Sequence, residues 1–154
     1  MAFYSIQSEQ KLPISIDKAW DFFSTPENLN EITPDDMGFT ITNKPDKKMF
    51  PGQIITYKVS PLLGIKLDWM TEITYVKKND YFVDEQRFGP YALWHHRHSF
   101  EIIDGGVLAK DEVNYKLPFG ILGVIAHKLF VKKKLQSIFE YRKVKLEQLF
   151  GKMD

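Results

Sequence analysis

Three of the four histidines in the chain lie within four positions, at His95, His96 and His98. Imidazole titrates near neutral pH, so it is a frequent general base, and its neutral ring is a common metal ligand. A polar ring can also orient a guest molecule in an otherwise apolar cavity. The histidines therefore leave three alternatives: a metal site, a catalytic base or the polar wall of a cavity. The choice among them depends on which strand face carries each histidine.

The elements that position these histidines follow from hydrophobic periodicity. Apolar and polar residues alternate from Phe3 to Ile14, which predicts a half-buried first strand. Ser15 or Asp17 can cap a short helix after it, and Pro26 stands at the favourable start of a second one. Beyond the loop at residues 33–36 the alternation returns and predicts six further strands, separated by turn signals, up to residue 118.

The period then changes to 3.6 and holds to Phe150, which predicts one long C-terminal helix. A sheet with one apolar face and a helix with one apolar stripe bury both surfaces when the curved sheet wraps around the helix. We therefore predict an α+β fold, with a seven-stranded antiparallel sheet, two short helices after strand 1 and a long C-terminal helix. The helix face predicted to be buried carries Val131, Leu135, Ile138, Phe139, Arg142, Leu146 and Leu149.

Short motifs along nearly the whole chain support this arrangement. They are Asn28-Leu29 with Ile32-Thr33-Pro34, Phe82-x-Asp84-Glu85-Gln86 with Gly89-Pro90, Trp94-x-His96-x-His98-x-Phe100, Asp111-x-Val113-x-Tyr115-x-Leu117-Pro118-x-Gly120, and Ile138-Phe139-x-Tyr141-Arg142. With the element order, they resemble the helix-grip fold of the START and SRPBCC superfamily, which includes polyketide cyclases, coenzyme Q-binding proteins and the birch pollen allergen. Within it they are similar to bacterial ligand-binding SRPBCC proteins, sometimes labelled cell division inhibitors. The resemblance implies one START-like domain over residues 1–154, and it implies no settled reaction.

Composition narrows the function classes. The formal net charge of +1 gives no field that would gather nucleic acid. The absence of cysteine excludes disulfides, thiolate catalysis and cysteine-ligated metals. Phosphate-binding glycine loops, a GxSxG elbow and an HExxH motif are also missing. The N-terminal residues lack a signal peptide pattern, and no apolar run of the sequence approaches the length of a membrane span, so we expect a cytoplasmic protein. We also expect no cofactor.

The register of the last hairpin follows from its turn. Asp104-Gly105 predicts a two-residue type I′ turn, and counting back places His98 opposite Asp111 and His96 opposite Val113. The face with His95 is almost wholly polar and belongs in water, so the other face must point toward the long helix. The predicted inward set is Trp94, His96, His98, Phe100, Asp111, Val113 and Tyr115.

The preceding strand leaves two registers open. A two-residue turn at Gly89-Pro90 would turn Tyr81, Val83 and Glu85 inward. A three-residue loop would instead turn Phe82, Asp84 and Gln86 inward, and the resemblance favours this second set. Either register brings one acid close to the histidines.

From these faces we predict a cavity between sheet and helix that binds a small, largely hydrophobic molecule. Arg142, on the buried helix face, either pairs with a sheet acid or receives an acidic group of the guest. Tyr57 and Tyr115 have hydroxyls that could face the guest, or that find a partner within the protein. The predicted contact residues are Trp69, Phe82, Trp94, Phe100 and Tyr115, and the predicted orienting residues are Gln86, His96, His98 and Asp111.

Three alternatives accompany this prediction. In a cyclase or aldolase type of enzyme, His96 or His98 would act as general base beside Asp111 or Asp84. A metal site would need both histidines and a carboxylate such as Asp111, and we predict none because no further ligand is evident. Residues 117–134, apolar at first and ending in three lysines, could contact a membrane or a protein partner.

Overall fold

The computed structural model describes residues 2–60 and 64–153. Its seven strands are β1 (Tyr4–Leu12), β2 (Thr40–Ile41), β3 (Ile54–Val59), β4 (Leu67–Lys77), β5 (Tyr81–Phe88), β6 (Leu93–Ile103) and β7 (Gly106–Lys116). They form one antiparallel sheet in the order β1-β7-β6-β5-β4-β3-β2. The α-helices are α1 (Ile16–Phe23), α2 (Gly120–Ala126) and α3 (Lys132–Phe150).

The predicted α+β fold is confirmed, with corrections in the connections. Ser15 caps α1 by accepting a hydrogen bond from the Lys18 amide, and a 3₁₀ helix follows at Pro26–Asn30. A second 3₁₀ helix, Asp35–Met37, occupies part of the expected loop. The turn predicted at residues 61–64 lies largely outside the described residues.

Register shifts help the sheet to curve around the helix. Strand β4 changes register against β5 between Met70 and Thr71 and again between Ile73 and Tyr75. Such irregularities bend a strand and increase its twist. At one end of the sheet, Trp20 of α1 packs edge-on against Phe82 and Phe100, both with ring centroids 6.0 Å away. This aromatic contact packs α1 against β5 and β6.

The C-terminal helix is continuous but not uniform. A π-helical turn, His127–Val131, joins α2 to α3. The predicted inward face is buried except at Ile138, which is half-buried, and Leu149, which is 43% exposed. Phe150 replaces it, because this residue lies four positions after the buried Leu146 and packs edge-on against Phe22 at 5.0 Å. Within the described part of the chain, no helix combines the length and apolar character that crossing a bilayer requires.

Candidate functional site

The β6–β7 hairpin has the predicted register. Ile103 pairs with Gly106, and His98 pairs with Asp111. The turn itself differs from type I′, because only its second residue, Gly105, has a positive φ of 77°. A Cβ at Gly106 would lie 2.1 Å from the Leu12 carbonyl oxygen, so glycine lets β1 approach the hairpin end.

The β5–β6 register agrees with the three-residue-loop alternative. Phe82 pairs with His98 and Asp84 pairs with His96, which places both β5 side chains on the inner face. Gln86 has the same parity, but its amide is engaged by the loop. Its Nε2 donates to the Tyr91 carbonyl at 2.6 Å, and its Oε1 accepts from the Tyr91 amide at 3.1 Å.

Two acids and two imidazoles meet on the inner face, and we call Asp84, His96, His98 and Asp111 the acid–imidazole cluster. His96 Nε2 lies 2.8 Å from Asp111 Oδ1, and His98 Nε2 lies 2.8 Å from Asp84 Oδ2. The other ring nitrogens lie across, with His98 Nδ1 3.0 Å from Asp111 Oδ1 and His96 Nδ1 3.7 Å from Asp84 Oδ2. Each imidazole therefore stands between both carboxylates.

Arg142 of α3 completes the charge balance of this cluster. Its Nη1 lies 3.3 Å from Asp111 Oδ1, and its guanidinium carbon lies 5.1 Å from the Phe139 ring centroid. Its Nε is buried and has no hydrogen-bond partner among the described residues. The structure thus adopts the first alternative for Arg142, a pair with a sheet acid.

The pKa values of the cluster follow from burial and charge. Burial alone would raise the pKa of Asp111, but the Arg142 guanidinium and both histidines outweigh it and hold this pKa well below its usual range. The pKa of Asp84 is also lowered, because His96 and His98 outweigh its burial. Burial and the neighbouring His98 lower the pKa of His96.

His98 shifts in the opposite direction. Burial would lower its pKa, but the hydrogen-bonding contacts with Asp111 and Asp84 outweigh burial and raise it. Two carboxylates, one guanidinium and one protonated imidazole together carry no net charge, which is the arrangement that a buried polar cluster favours. Of the two imidazoles, His98 therefore binds a proton more readily.

A cavity of about 640 Å³ lies between the sheet and the C-terminal helices. Most of its wall is apolar, and Asp84, His96, His98 and Arg142 provide a polar patch on the wall. Phe119 and Leu122 line the cavity although they are 81% and 71% exposed, so they mark where it opens.

The predicted site residues fall into two groups. Trp69, Phe82, Trp94, His96, His98 and Arg142 line the cavity. Gln86, Phe100, Asp111 and Tyr115 do not line it, although they lie close behind its wall. Gln86 binds the Tyr91 backbone. Asp111 contacts His96 Nε2 and His98 Nδ1. Phe100 packs between Trp20 and Phe23.

The tyrosine hydroxyls bind protein groups. The Tyr57 hydroxyl lies 2.9 Å from Thr71 Oγ1, and the Trp69 indole donates to the same oxygen at 3.1 Å. The Tyr115 hydroxyl lies 2.8 Å from Nε2 of His127, whose ring stacks on Tyr4 at 3.5 Å between centroids. Burial raises the pKa of Tyr57 and of Tyr115. These hydroxyls therefore stiffen the wall.

Part of the cavity wall was not predicted from the sequence. It comes from the end of α1, where helical spacing is present, and from the two 3₁₀ helices and the adjoining loops, where no period of two or 3.6 marks an inward face. The only sign of burial in this stretch is the large number of aromatic and aliphatic residues that follow the two predicted helix starts. These lining residues include Phe22, Phe23, Leu29, Ile32, Met37 and Phe39.

The polar patch has two chemical capacities. An imidazole bonded to a carboxylate can accept a proton from a bound molecule. In addition, one ligand atom from each of Asp84, His96 and His98 lies within 4.8 Å of the others, a spacing at which a metal ion could be held. His95, one position away, belongs to the opposite face and takes no part in either arrangement.

Comparison with known proteins finds solved structures that are similar to this chain, but no match by sequence. No protein-family model matches the sequence, and no curated protein sequence matches it. A protein of Thermus thermophilus is 15% identical with a TM-score of 0.70, over 94% of this chain and 95% of its own.

Two further solved structures have the same likeness. Ara h 8.0201 is 18% identical with a TM-score of 0.61, over 96% of this chain and 99% of its own. Major latex-like protein 151 of Panax ginseng is 10% identical with a TM-score of 0.65, over 96% of this chain and 97% of its own. At these identities the likeness concerns the fold, so this chain and these neighbours share the helix-grip fold.

Proposed function

We propose that this protein binds a small, largely hydrophobic molecule in the cavity, with a polar group of that molecule at the acid–imidazole cluster. The observation that carries the proposal is the cavity itself. Its volume of about 640 Å³ falls in the range of roughly 300 to 1,000 Å³ that is typical of ligand sites. Protein interiors rarely keep voids larger than one water molecule, so a space of this size favours an occupant.

The wall chemistry defines the class of occupant. Trp69, Phe82 and Trp94 offer broad aromatic contact, and most of the other lining residues are aliphatic or aromatic. Asp84, His96, His98 and Arg142 are the polar patch that such a guest could contact, whereas Asp111 does not line the cavity. A guest with an apolar body and one oxygen-bearing end would fit this wall. The sequence motifs that resemble the SRPBCC superfamily are consistent with such a guest. We therefore propose that residues 1–154 form a single START-like domain of the SRPBCC type.

The proposal is tested with an apolar fluorescent probe, anilinonaphthalene sulfonate, and with native mass spectrometry of gently purified protein. Ala126 lines the cavity from α2, so Ala126→Trp should fill part of the space and weaken probe binding at least tenfold. Lys133→Trp adds the same side chain on the exposed face of α3 and should leave binding unchanged. Equal binding by both variants, with no co-purifying molecule, would contradict the proposal.

A second candidate function is catalysis of the cyclase or aldolase type. It is favoured by the 2.8 Å contact between His98 Nε2 and Asp84 Oδ2, because both residues line the cavity. In this function His98 or His96 removes a proton next to a carbonyl of the guest. His98→Ala separates the two functions. In a binder it changes affinity alone, whereas in an enzyme it lowers turnover of a defined substrate by orders of magnitude.

A third candidate is an interaction through residues 117–134, which we call the entrance segment. Phe119 and Ile121 are 81% and 79% exposed, and Lys132 and Lys133 are exposed nearby. Exposed apolar groups next to lysines suit an anionic membrane surface. Phe119→Asp should then abolish co-sedimentation with anionic vesicles and leave probe binding in the cavity intact. Unchanged co-sedimentation would exclude this role for Phe119.

A further inference from the structure

We infer that the acid–imidazole cluster is a binding site for one first-row divalent transition metal ion, held by Asp84 Oδ2, His96 Nδ1 and His98 Nε2. One ligand atom from each of these three residues lies within 4.8 Å of the other two. Asp84 Oδ2 is 2.8 Å from His98 Nε2 and 3.7 Å from His96 Nδ1. Ligand atoms about 2.1 Å from an ion are separated by about 3.0 to 3.4 Å, so small side-chain shifts suffice.

The far side of each imidazole supports the same assignment. His96 Nε2 lies 2.8 Å from Asp111 Oδ1, and His98 Nδ1 lies 3.0 Å from the same oxygen. Metal-bound histidines usually donate their other N–H group to a carboxylate or carbonyl oxygen, which fixes the tautomer and the ring orientation. A single carboxylate that holds both rings leaves the lone pairs of His96 Nδ1 and His98 Nε2 directed toward Asp84.

Charge and placement add two further arguments. The two carboxylates and the Arg142 guanidinium sum to one formal negative charge beside the two imidazoles, which favours a cation over an anion at this position. Asp84, His96 and His98 line the cavity while Asp111 does not, so positions not used by the protein would face the cavity. Two imidazoles and one carboxylate form the ligand set that favours iron, cobalt or zinc over magnesium or calcium.

The inference goes beyond the binding of a hydrophobic guest and does not depend on it. Chelator-treated, unmutated protein is titrated with Co²⁺, and visible absorption reports the coordination of this ion. We expect one Co²⁺ per chain, displaced by Zn²⁺. The absence of stoichiometric Co²⁺ binding would overturn the inference, and a proton shared by Asp84 and His98 would then be the occupant.

Variants locate the ion. His98→Ala and Asp84→Asn should weaken binding at least a hundredfold, and Asp111→Asn, which acts through ring orientation, should weaken it about 10- to 100-fold. His95→Ala is the matched control, because His95 lies on the opposite strand face, and it should bind as the unmutated protein does. A loss in His95→Ala equal to that in His98→Ala would contradict the proposed site.

NMR of the unmutated protein tests the site even where a variant fails to fold. Addition of Zn²⁺ should shift the ring NMR signals of His96 and His98 and leave those of His95 and His127 in place. Shifts confined to His95 or His127 would overturn the inference. Protein that binds anilinonaphthalene sulfonate but not Co²⁺ also overturns it and leaves the proposed function standing, whereas binding of Co²⁺ without the apolar probe supports the metal site alone.

Discussion

The polar patch and the entrance of the cavity hold their side chains in opposite ways. In the patch, each imidazole of the acid–imidazole cluster contacts both carboxylates within 3.7 Å, and Arg142 neutralises Asp111 from the helix. At the entrance, Phe119, Ile121 and Leu122 expose 81%, 79% and 71% of their surface. The patch is therefore organised before any guest arrives, whereas the entrance keeps apolar groups in water.

This difference indicates where changes in sequence should matter. Substitutions in the patch remove partners from buried charges, which is costly. Side chains at the entrance are surrounded mainly by water, so substitutions there should change the free energy of unfolding little. Four predictions compare buried, partnered groups with exposed ones, in order of decreasing expected effect on the free energy of unfolding.

Arg142→Met should cause the largest loss, about 3 to 5 kcal/mol, because it leaves the buried Asp111 without its guanidinium. Urea unfolding measures the change. Lys143→Met, at the next and more exposed position, is the control and should stay within about 0.5 kcal/mol. Adding Asp111→Asn to Arg142→Met should recover part of the loss, and a double variant with additive losses would argue against the pair.

Gln86→Ala should cost about 1 to 3 kcal/mol, because the Tyr91 amide and carbonyl both lose their partner behind the cavity wall. Thermal and urea unfolding report this loss. Gln7→Ala, an exposed glutamine on β1, provides the comparison and should be nearly neutral. If the two variants unfold alike, Gln86 does not hold the β5–β6 loop.

Acidification should weaken the contact of the helix with β7 through His127, by less than Gln86→Ala. Burial, with a contribution from Lys132, lowers the pKa of His127 from its ordinary value of 6.5. The folded state then binds fewer protons than the unfolded state, so stability is kept above pH 6.5 and declines as the pH falls below it.

The measurement is the difference in Tm between about pH 7.5 and pH 5.5. His127→Gln should show a smaller decrease than the unmutated protein, and His95→Gln should show the same decrease. An equal decrease in all three proteins would assign the pH dependence to other groups.

Phe119→Asn should change stability least and should raise it, by at most about 1 kcal/mol. Phe119 has a φ of 66° and is 81% exposed, so the side chain contributes little while the left-handed backbone is strained. Asparagine tolerates this conformation better than phenylalanine. A loss above about 1 kcal/mol in urea unfolding would show that Phe119 packs against the protein, and the contrast between patch and entrance would weaken.

The same contrast explains how much could be predicted from the sequence. The β6–β7 register followed from the length of the Asp104-Gly105 turn, since side chains alternate strictly along a strand. The inward placement of His96, His98 and Asp111 then required only the polarity of the opposite face, which carries His95. Asp84 remained one of two alternatives, because the length of the loop at Gly89-Pro90 cannot be read from its residues.

Other parts depended on tertiary contacts that no local pattern reports. Gln86 was predicted to orient a guest, but the Tyr91 backbone takes both ends of its amide. The wall between Phe22 and Phe39 consists of short 3₁₀ helices and loops, which lack a period. Arg142 was predicted on the inner helix face, yet its choice between a sheet acid and a guest required the distance to Asp111.

The π-helical turn at His127–Val131 has a geometric consequence for the entrance. Five buried residues follow at intervals of four, from Gly123 through His127, Val131 and Leu135 to Phe139. In a regular α-helix each interval of four rotates the side chain by about 40°, which would turn this row away from the sheet. The wider turn compensates, so deletion of one residue from it should swing α2 and its exposed leucine and isoleucine side chains about 100° around the helix axis. The number of residues in the π-helical turn, rather than their types, therefore sets the direction in which the entrance side chains point.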